Sequence, residues 1–322
     1  MFVELQQIVE SDNFDYCIVG GGPAGITCAL ALSSPDRKIL LLEGGGTEYT
    51  GDSQDLYRGV VVGDPYFPLD YSRLRYFGGS SNHWGGWCRP LDEIDFETKD
   101  AFPKTRWPIG KKTLDSYLAA ASGILEVRAL QKDVELSGGL LKQIDVVFTN
   151  AVRFSQKYAS ELLNSQSIAV ALNVSVVELK TNGKGITAVE VVDFKGARRD
   201  VSANRYILAC GGIENSRLLL WSNHKANNQI IKNSTTLGRY WMEHPAFIVG
   251  DAILNNDVLN NDILNNDMIN PANIPPDHSI NVITHRHFRR ADRDEAPDFR
   301  APLPESPISE SMCAWIALIC SA

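Results

Sequence analysis

The stretch FDYCIVGGGPAGITCALALSS, residues 14–34, constrains the fold more than any other part of this 322-residue chain. FDYCIV is apolar and rich in β-branched and aromatic residues, which predicts a strand. Glycines break it at Gly20, and from Ala24 through Leu32 apolar residues recur at helical spacing. RKILLLEGGG follows as a second apolar strand that ends in Glu43 and another glycine turn. Strand, turn, helix and strand in so short a span predict one βαβ unit, whose two strands must run parallel.

Within that unit, Gly20-x-Gly22-x-x-Gly25 has the spacing of a dinucleotide-binding turn. Gly20 allows the tight turn, Gly22 lets a pyrophosphate approach the backbone, and Gly25 lets the helix pack closely on the strand. The first helical turn, with Pro23 and Ala24, then aims its free N–H groups at the phosphates. Glu43 stands 18 residues after Gly25 (43 − 25), near the spacing of an acid that accepts hydrogen bonds from a ribose diol. The bland alternative is a glycine-rich turn that happens to start a helix, and the motif alone does not separate FAD from NAD.

Charge and cysteines narrow the partners. A net charge of −8 disfavours nucleic acid or an anionic membrane surface, both of which select basic faces, so a small molecule fits better. Six cysteines without a Cys-x-x-Cys pair match neither a disulfide framework nor a structural zinc site. The expectation is no metal and a reducing, cytoplasmic setting. The N-terminal MFVELQQIVESDNFDY carries acids where an export signal needs a basic flank. The apolar MCAWIALICSA at the C-terminus is about half the length that spans a bilayer.

Residues 91–165 are mixed, with an amphipathic helix predicted behind the proline of RWPIGKKTLDSYLAAASGILEV and another near Ser155 to Asn164. SIAVALNVSVVELKT, GITAVEVVDF and RRDVSANRYILAC, separated by Asn-Gly and Lys-Gly turns, predict a β-meander feeding one buried strand, Tyr206 to Ala209. GGIENSRLLLWSN then repeats the turn-to-helix pattern of the N-terminus. LNNDVLNNDILNNDMINP repeats every five residues from Leu254, too few times to build a solenoid core, and reads as a surface loop. Beyond Arg289 the chain is charged, proline-rich and without period.

FGGSSNHWGGWCRP, Phe77 to Pro90, has a linker's glycines and serines but also His83, Trp84 and Trp87. A backbone held against something flat is the reading, the candidates being a cofactor, a metal or a packed turn. DYCIVGGGPAGITCALAL, ILLLEGG, FGGSSNHWGG, WPIGKKTLDSYLAAASGILEV, YILACGGIENSRLLL and LGRYWMEHP together resemble, in order, the glucose-methanol-choline (GMC) family of FAD-dependent oxidoreductases. The resemblance runs from residue 15 to about 250. It implies an α/β fold: a FAD-binding Rossmann-like domain, parallel sheet plus β-meander, from residues 12–90 and 166–224. A partial α+β substrate or cap domain from residues 91–165 and 225–288 and an irregular tail from 289–322 complete that expectation.

The same resemblance implies cofactor contacts residue by residue. Gly78, Gly79, Ser80 and Ser81, continuing through Asn82, Trp84 and Gly85, would run along the flavin side of FAD. SNHW is similar to a segment of the pyranose-oxidase-like branch, which makes His83 a candidate for covalent attachment to the flavin. Non-covalent contact and a packed structural histidine stay open beside it. Val176 would turn its backbone to the adenine or be an ordinary strand valine. Ala209, Gly211 and Gly212 match a second glycine turn near the pyrophosphate, and Asn215 reads as a ligand or a helix cap. His244 and Pro245 read as the start of a strand rather than as a catalytic pair.

The implied activity is oxidation of a CH–OH group, in an alcohol or sugar, by hydride transfer to flavin, with oxygen or another electron acceptor reoxidising it. A histidine that removes the hydroxyl proton belongs to that chemistry, and the C-terminal stretch that carries it in the family is not recognisable here. NPAN at Asn270 to Asn273 lies inside the repeat, and His278, His285 and His287 read as loop histidines. The catalytic residues stay unassigned, and the expectation is a chain lacking the C-terminal catalytic part. A catalytically inactive remnant or FAD-binding module is the second reading. An NAD(P)-dependent dehydrogenase is the third, and Gly78 to Gly86 argues against it.

Overall fold

The computed structural model describes residues 2–8, 13–63, 66–97, 107–136, 141–150, 152–233 and 235–241, with two further strands at Phe247–Ile253 and Ser279–Thr284. The repeat tract, the tail from 289 and His244, Pro245, His278, His285 and His287 lie outside the described residues. Two compact units divide the chain, the first reaching Trp241. In the second, Phe247–Ile253 pairs antiparallel with Ser279–Thr284.

In chain order the first unit carries β1 (Phe2–Val3), β2 (Phe14–Val19), α1 (Pro23–Leu32), β3 (Ile39–Leu42), α2 (Gly51–Gln54), β4 (Trp87–Cys88), α3 (Glu93–Phe96), α4 (Lys111–Asp115) and α5 (Leu118–Leu125). Then come β5 (Val134–Leu136), β6 (Leu141–Gln143), β7 (Val147–Phe148), α6 (Phe154–Lys157), α7 (Ala159–Asn164), β8 (Ile168–Ala171), β9 (Val174–Thr181), β10 (Ile186–Asp193), β11 (Arg198–Val201), β12 (Ala203–Leu208) and α8 (Gly211–Lys225). Five strands form a parallel sheet in the order β1-β8-β3-β2-β12, and β11-β10-β9 form the antiparallel meander. The α/β class, with a parallel sheet and a meander, is therefore as expected.

Alternation along the strands divides the core into two layers. In β3, Ile39 and Leu41 join Ile18, Val170, Phe77 and the α1 residues Ile26 and Ala29 on one face. Leu40 and Leu42 turn the other way, to Cys17, Val19, the meander residues Val176, Leu179, Val189 and Val191, and Leu218 of α8. A strand covered on both faces has no solvent side, which is why ILLL reads as an unbroken apolar run. All four of its residues are buried.

Three predicted elements differ in detail. SIAVALNVSVVELKT is two strands, because Asn173 takes a left-handed φ of 59° that asparagine tolerates, and the chain passes there from the parallel sheet into the meander. The helix behind Pro108 breaks into α4 and α5 near Tyr117, and the next breaks into α6 and α7 at Tyr158. The strand expected to be buried, Tyr206 to Ala209, is β12, the outer strand of the described sheet. It pairs with β2 on one side, and Asn204 and Arg205 are exposed.

The Asn-Gly and Lys-Gly turns are present as predicted, with Gly183 at φ 81° and Gly196 at φ 83°. Helix α8 is fastened to the meander by Ser222, which is fully buried and whose Oγ accepts the Leu179 N–H at 2.9 Å. Ser222→Ala strands that donor, so chemical denaturation should show a loss of about 1–3 kcal/mol. An unchanged midpoint would contradict this role.

Candidate cofactor site

The strand register brings the predicted glycine turns to one edge of the sheet. Tyr16, Cys17, Ile18 and Val19 pair with Ile39, Leu40, Leu41 and Leu42, and Val19 pairs with Leu208 on the other side. The ladder continues past the strand ends: Gly20 N–H donates to Leu42 O at 2.7 Å, Glu43 N–H to Ala171 O at 2.8 Å and Ala209 N–H to Val19 O at 2.7 Å. Gly20, Glu43 and Ala209 thus sit at the carboxyl ends of neighbouring parallel strands, the edge where open α/β sheets bind ligands.

Close backbone approach explains the glycines. Gly20 has φ 109°, and a Cβ on it would lie 2.5 Å from Ala209 O. A Cβ on Gly25 would overlap the Gly20 carbonyl oxygen. Gly78 donates to Gly21 O at 2.8 Å, and a Cβ on Gly79 would lie 3.1 Å from Gly22 Cα. The glycine segments at 20–25 and 78–79 therefore meet at the start of α1, with Ala209 packed beside Gly20.

Gly22 differs from these neighbours. It is the N-cap of α1, no side chain caps the helix, and a Cβ there would meet nothing nearer than Gly79 Cα at 4.0 Å. An uncapped helix start exposes N–H donors and the positive end of the helix dipole. Next to open space, that arrangement fits a pyrophosphate. Pro23 and Ala24 begin the helix beside it. Gly211, at φ 81° with open space at its Cβ position, starts α8 at the neighbouring turn.

Glu43 is buried, and both of its oxygens are held: Oε1 accepts from Gly45 N–H and Oε2 from Gly21 N–H, each at 2.7 Å. Burial pushes its carboxyl above the usual range, and the N–H bonds of Gly45 and Gly21 and the charge of Arg75 work against that push. Each carboxylate oxygen keeps acceptor capacity beyond one bond, so the group can still take a diol.

Gly79–Asn82 form one turn of 3-10 helix behind Gly78, and several of their side chains bond within the protein. Ser80 Oγ accepts the Leu74 N–H at 3.2 Å. Ser81 Oγ donates to Gly78 O at 2.7 Å and accepts the Phe154 N–H at 3.2 Å. Asn82 bonds Phe77 O and the Ser155 hydroxyl. The indole of buried Trp84 donates to Val152 O at 3.0 Å. These side chains fix the turn against α6, while Gly85 is exposed.

His83 closes that turn, with Nε2 3.1 Å from the Tyr76 hydroxyl and its ring edge-on to that of Tyr76. Burial, and then the charge of Arg153, lower its pKa from the ordinary histidine value. Val176 follows Val174, whose N–H donates to Glu43 O at 2.9 Å, and its side chain is buried in the meander core. Asn215 reaches back from α8, accepting the Cys210 N–H at 3.0 Å and donating to Leu208 O at 3.2 Å. The N-cap of α8 is Cys210, and Asn215 bonds back to it from the second turn of the helix.

The sequence reading missed the arginines. Arg153 donates to Ser81 O and Trp84 O. Arg73 pairs with Glu214 at 2.8 Å and lies over the Tyr57 ring. Burial opposes ionisation of Glu214, and the bonds from Arg73 and Arg217 outweigh it, holding the carboxyl below its usual range. Arg75 sits over the glycines after Glu43. Its signal was present in SRLRYFGG, where two arginines precede the glycine pair. Among the described residues no cluster of metal-ligating side chains occurs, and no helix is long and apolar enough to cross a membrane.

A parallel sheet whose glycine turns leave an uncapped helix start beside a buried acid defines a dinucleotide-binding protein. The chain belongs to the FAD-dependent oxidoreductase (DAO) family, whose sequence model matches residues 15–234. An uncharacterized GMC-type oxidoreductase of Rhodococcus erythropolis is 22% identical over 304 residues, 75% of this chain and 61% of that protein. The glucose dehydrogenase [FAD, quinone] of Drosophila pseudoobscura pseudoobscura is 23% identical over 65% of this chain and 43% of its own length. One polypeptide of the anaerobic glycerol-3-phosphate dehydrogenase of Haemophilus influenzae (strain 86-028NP) is 23% identical over 64% of this chain and 56% of its own. The chain thus spans between 43% and 61% of these relatives. Among solved structures, a formate oxidase aligns at 19% identity and a TM-score of 0.47, over 74% of this chain and 54% of that one.

The His83 environment gives a direct check. A folded-state pKa below the unfolded value means that the folded chain gives up this proton more readily. Its contribution to stability is therefore full above the unfolded value, about 6.5, and lost as pH falls from there through the lower folded value. By NMR, His83 should titrate below that value and Arg153→Met should raise its midpoint. A midpoint at or above the ordinary value in the unmodified chain would contradict the geometry.

Proposed function

We propose that this chain is the FAD-holding part of a GMC-type oxidoreductase that oxidises a CH–OH group of an alcohol or sugar. When bound, the flavin would accept the hydride, and oxygen or another acceptor would take the electrons onward. The chain's own residues bind and orient: the α1 N-terminus and the backbones of Gly22, Gly78 and Gly79 face the pyrophosphate, and Glu43 accepts the ribose diol. Neutral His83, held by Tyr76, lies toward the flavin, and covalent attachment through it in the pyranose-oxidase manner belongs to this proposal. The cytoplasmic setting does too, on the free thiols of Cys17, Cys28 and Cys210 among the described residues.

The observation that carries this reading is the contrast at Gly22. Gly20 and Gly25 have no room for a side chain because protein atoms occupy it, whereas Gly22 borders open space at an uncapped helix start. Protein packing accounts for the first two, and the space beside Gly22 leaves room for a pyrophosphate at the helix start. Two histidines, His83 and His224, occur among the described residues, and neither is placed here as the base for the substrate hydroxyl.

Gly22→Ala should leave the thermal midpoint of the flavin-free protein nearly unchanged and weaken FAD about tenfold or more, the equivalent of 1.4 kcal/mol. Equal FAD affinity in that variant would remove the main support. Acid precipitation then tests His83. Flavin in the pellet, lost in His83→Ala, is expected for covalent attachment; flavin in the supernatant assigns His83 a non-covalent role. Reduction of a dye by sugars or alcohols is the expected activity, and a flavin-loaded chain that reduces none is a binding module without turnover.

A further inference from the structure

The glycines that follow Glu43 carry a part-buried cation the cofactor reading did not use. Arg75 Nη1 donates to Gly44 O at 2.8 Å and to Ser53 Oγ at 3.0 Å, and Nη2 donates to Ser175 Oγ at 2.8 Å. These partners come from the β3 exit, from α2 and from the start of β9, so the guanidinium is fixed from three directions. Its bed is made of glycine: a Cβ on Gly44 would collide with the guanidinium, and one on Gly45 with the Arg75 backbone. Ser53 also donates to Arg75 O at 2.7 Å, and Gln54 accepts the Arg75 N–H at 3.0 Å.

We propose that Arg75 is the positioning residue for Glu43, holding that acid ionised and aimed at the ribose diol, and thereby setting the pH below which FAD is released. The inference rests on the FAD reading given above and assigns a residue that the reading left without a role. Glu43 is fully enclosed, and an enclosed carboxylate favours its neutral form unless a partner charge opposes burial. Three titratable groups face it. Tyr57, from the turn after α2, and Cys210, ahead of α8, both have their pKa raised by burial, the latter to about 12, so both are neutral near pH 7. On the other side of the balance stand the Gly45 and Gly21 N–H bonds and then the Arg75 charge; Arg75 makes no direct bond to Glu43 but fixes the Gly44–Gly45 turn that presents the Gly45 N–H to it. Arg73, which lies over Tyr57, is engaged by Glu214.

The sign follows from the acceptor count. An ionised Glu43 accepts from Gly21 and Gly45 and still has lone pairs for the diol; a protonated one turns an acceptor into a donor. FAD affinity therefore falls as pH drops through the Glu43 titration. Removing the Arg75 charge favours the neutral acid, so that fall begins at higher pH.

Titration of the flavin-free chain with FAD, followed by flavin fluorescence across the acid to neutral range, reads the midpoint directly. Arg75→Met should move it upward by about one pH unit or more, Arg75→Lys should move it less, and Glu43→Gln should flatten the dependence. Ser175→Ala frees Nη2 without removing the charge and should shift the midpoint upward by a smaller amount. It decides the matter if Arg75→Met does not fold. Weaker binding by the same factor at every pH in Arg75→Met, with the midpoint unmoved, would make Arg75 a mere brace and overturn the inference alone. The same unmoved midpoint in Ser175→Ala, where Arg75→Met is unfolded, overturns it as well. An unmodified chain that binds no FAD at any pH overturns the cofactor reading and this inference with it.

Discussion

Gly25 lies so close to the Gly20 carbonyl that a single methyl group between them would overlap it. That contact seats α1 on the end of β2 and fixes the direction in which the helix points its free N–H groups. The turn at Gly78–Gly79 is then hydrogen-bonded to Gly21, and the turn at Ala209 fills the space beside Gly20. Backbone comes this near to backbone only where side chains are absent. One steric condition thus links elements almost 190 residues apart in sequence (209 − 20), and a larger residue at Gly25 would disturb the whole sheet edge.

Charge is the second organising feature of that edge. Two buried acids, Glu43 and Glu214, stand near the starts of two glycine turns, and each has an arginine from the segment before Gly78. Arg73 bonds Glu214 directly, whereas Arg75 makes no direct bond to Glu43 and is held beside it by Gly44, Ser53 and Ser175. Burial makes an uncompensated carboxylate costly, so each acid and its arginine form one unit. Tyr57 lies against both guanidiniums, joining the two units into a single wall.

The βαβ unit was legible in the sequence because its signals are local: an apolar run, three glycines at fixed spacing, a helical period and a second apolar run. Glu43 was legible by its distance from Gly25. The division of SIAVALNVSVVELKT was not, since the strands before and after Asn173 are equally apolar and only a left-handed asparagine separates them. The outer position of β12 was hidden as well, because YILA is as apolar as a central strand. In FGGSSNHWGG the residue types were legible but their partners were not. Ser81, Asn82 and Trp84 bond Phe154, Phe77, Ser155 and Val152, and three of these four are about seventy positions away. Arg75 was passed over for the same reason: its role exists only once β9 and α2 are folded around it.

The central claim is that three glycine segments and Glu43 together form the seat of FAD. Hydrogen–deuterium exchange of the flavin-free chain with and without FAD tests it at those backbone amides. Added FAD should slow exchange in peptides covering residues 20–26, 43–47 and 77–83, with the meander surface at 186–200 unchanged. Protection confined to other segments, or none in these three while FAD is bound, would contradict the account.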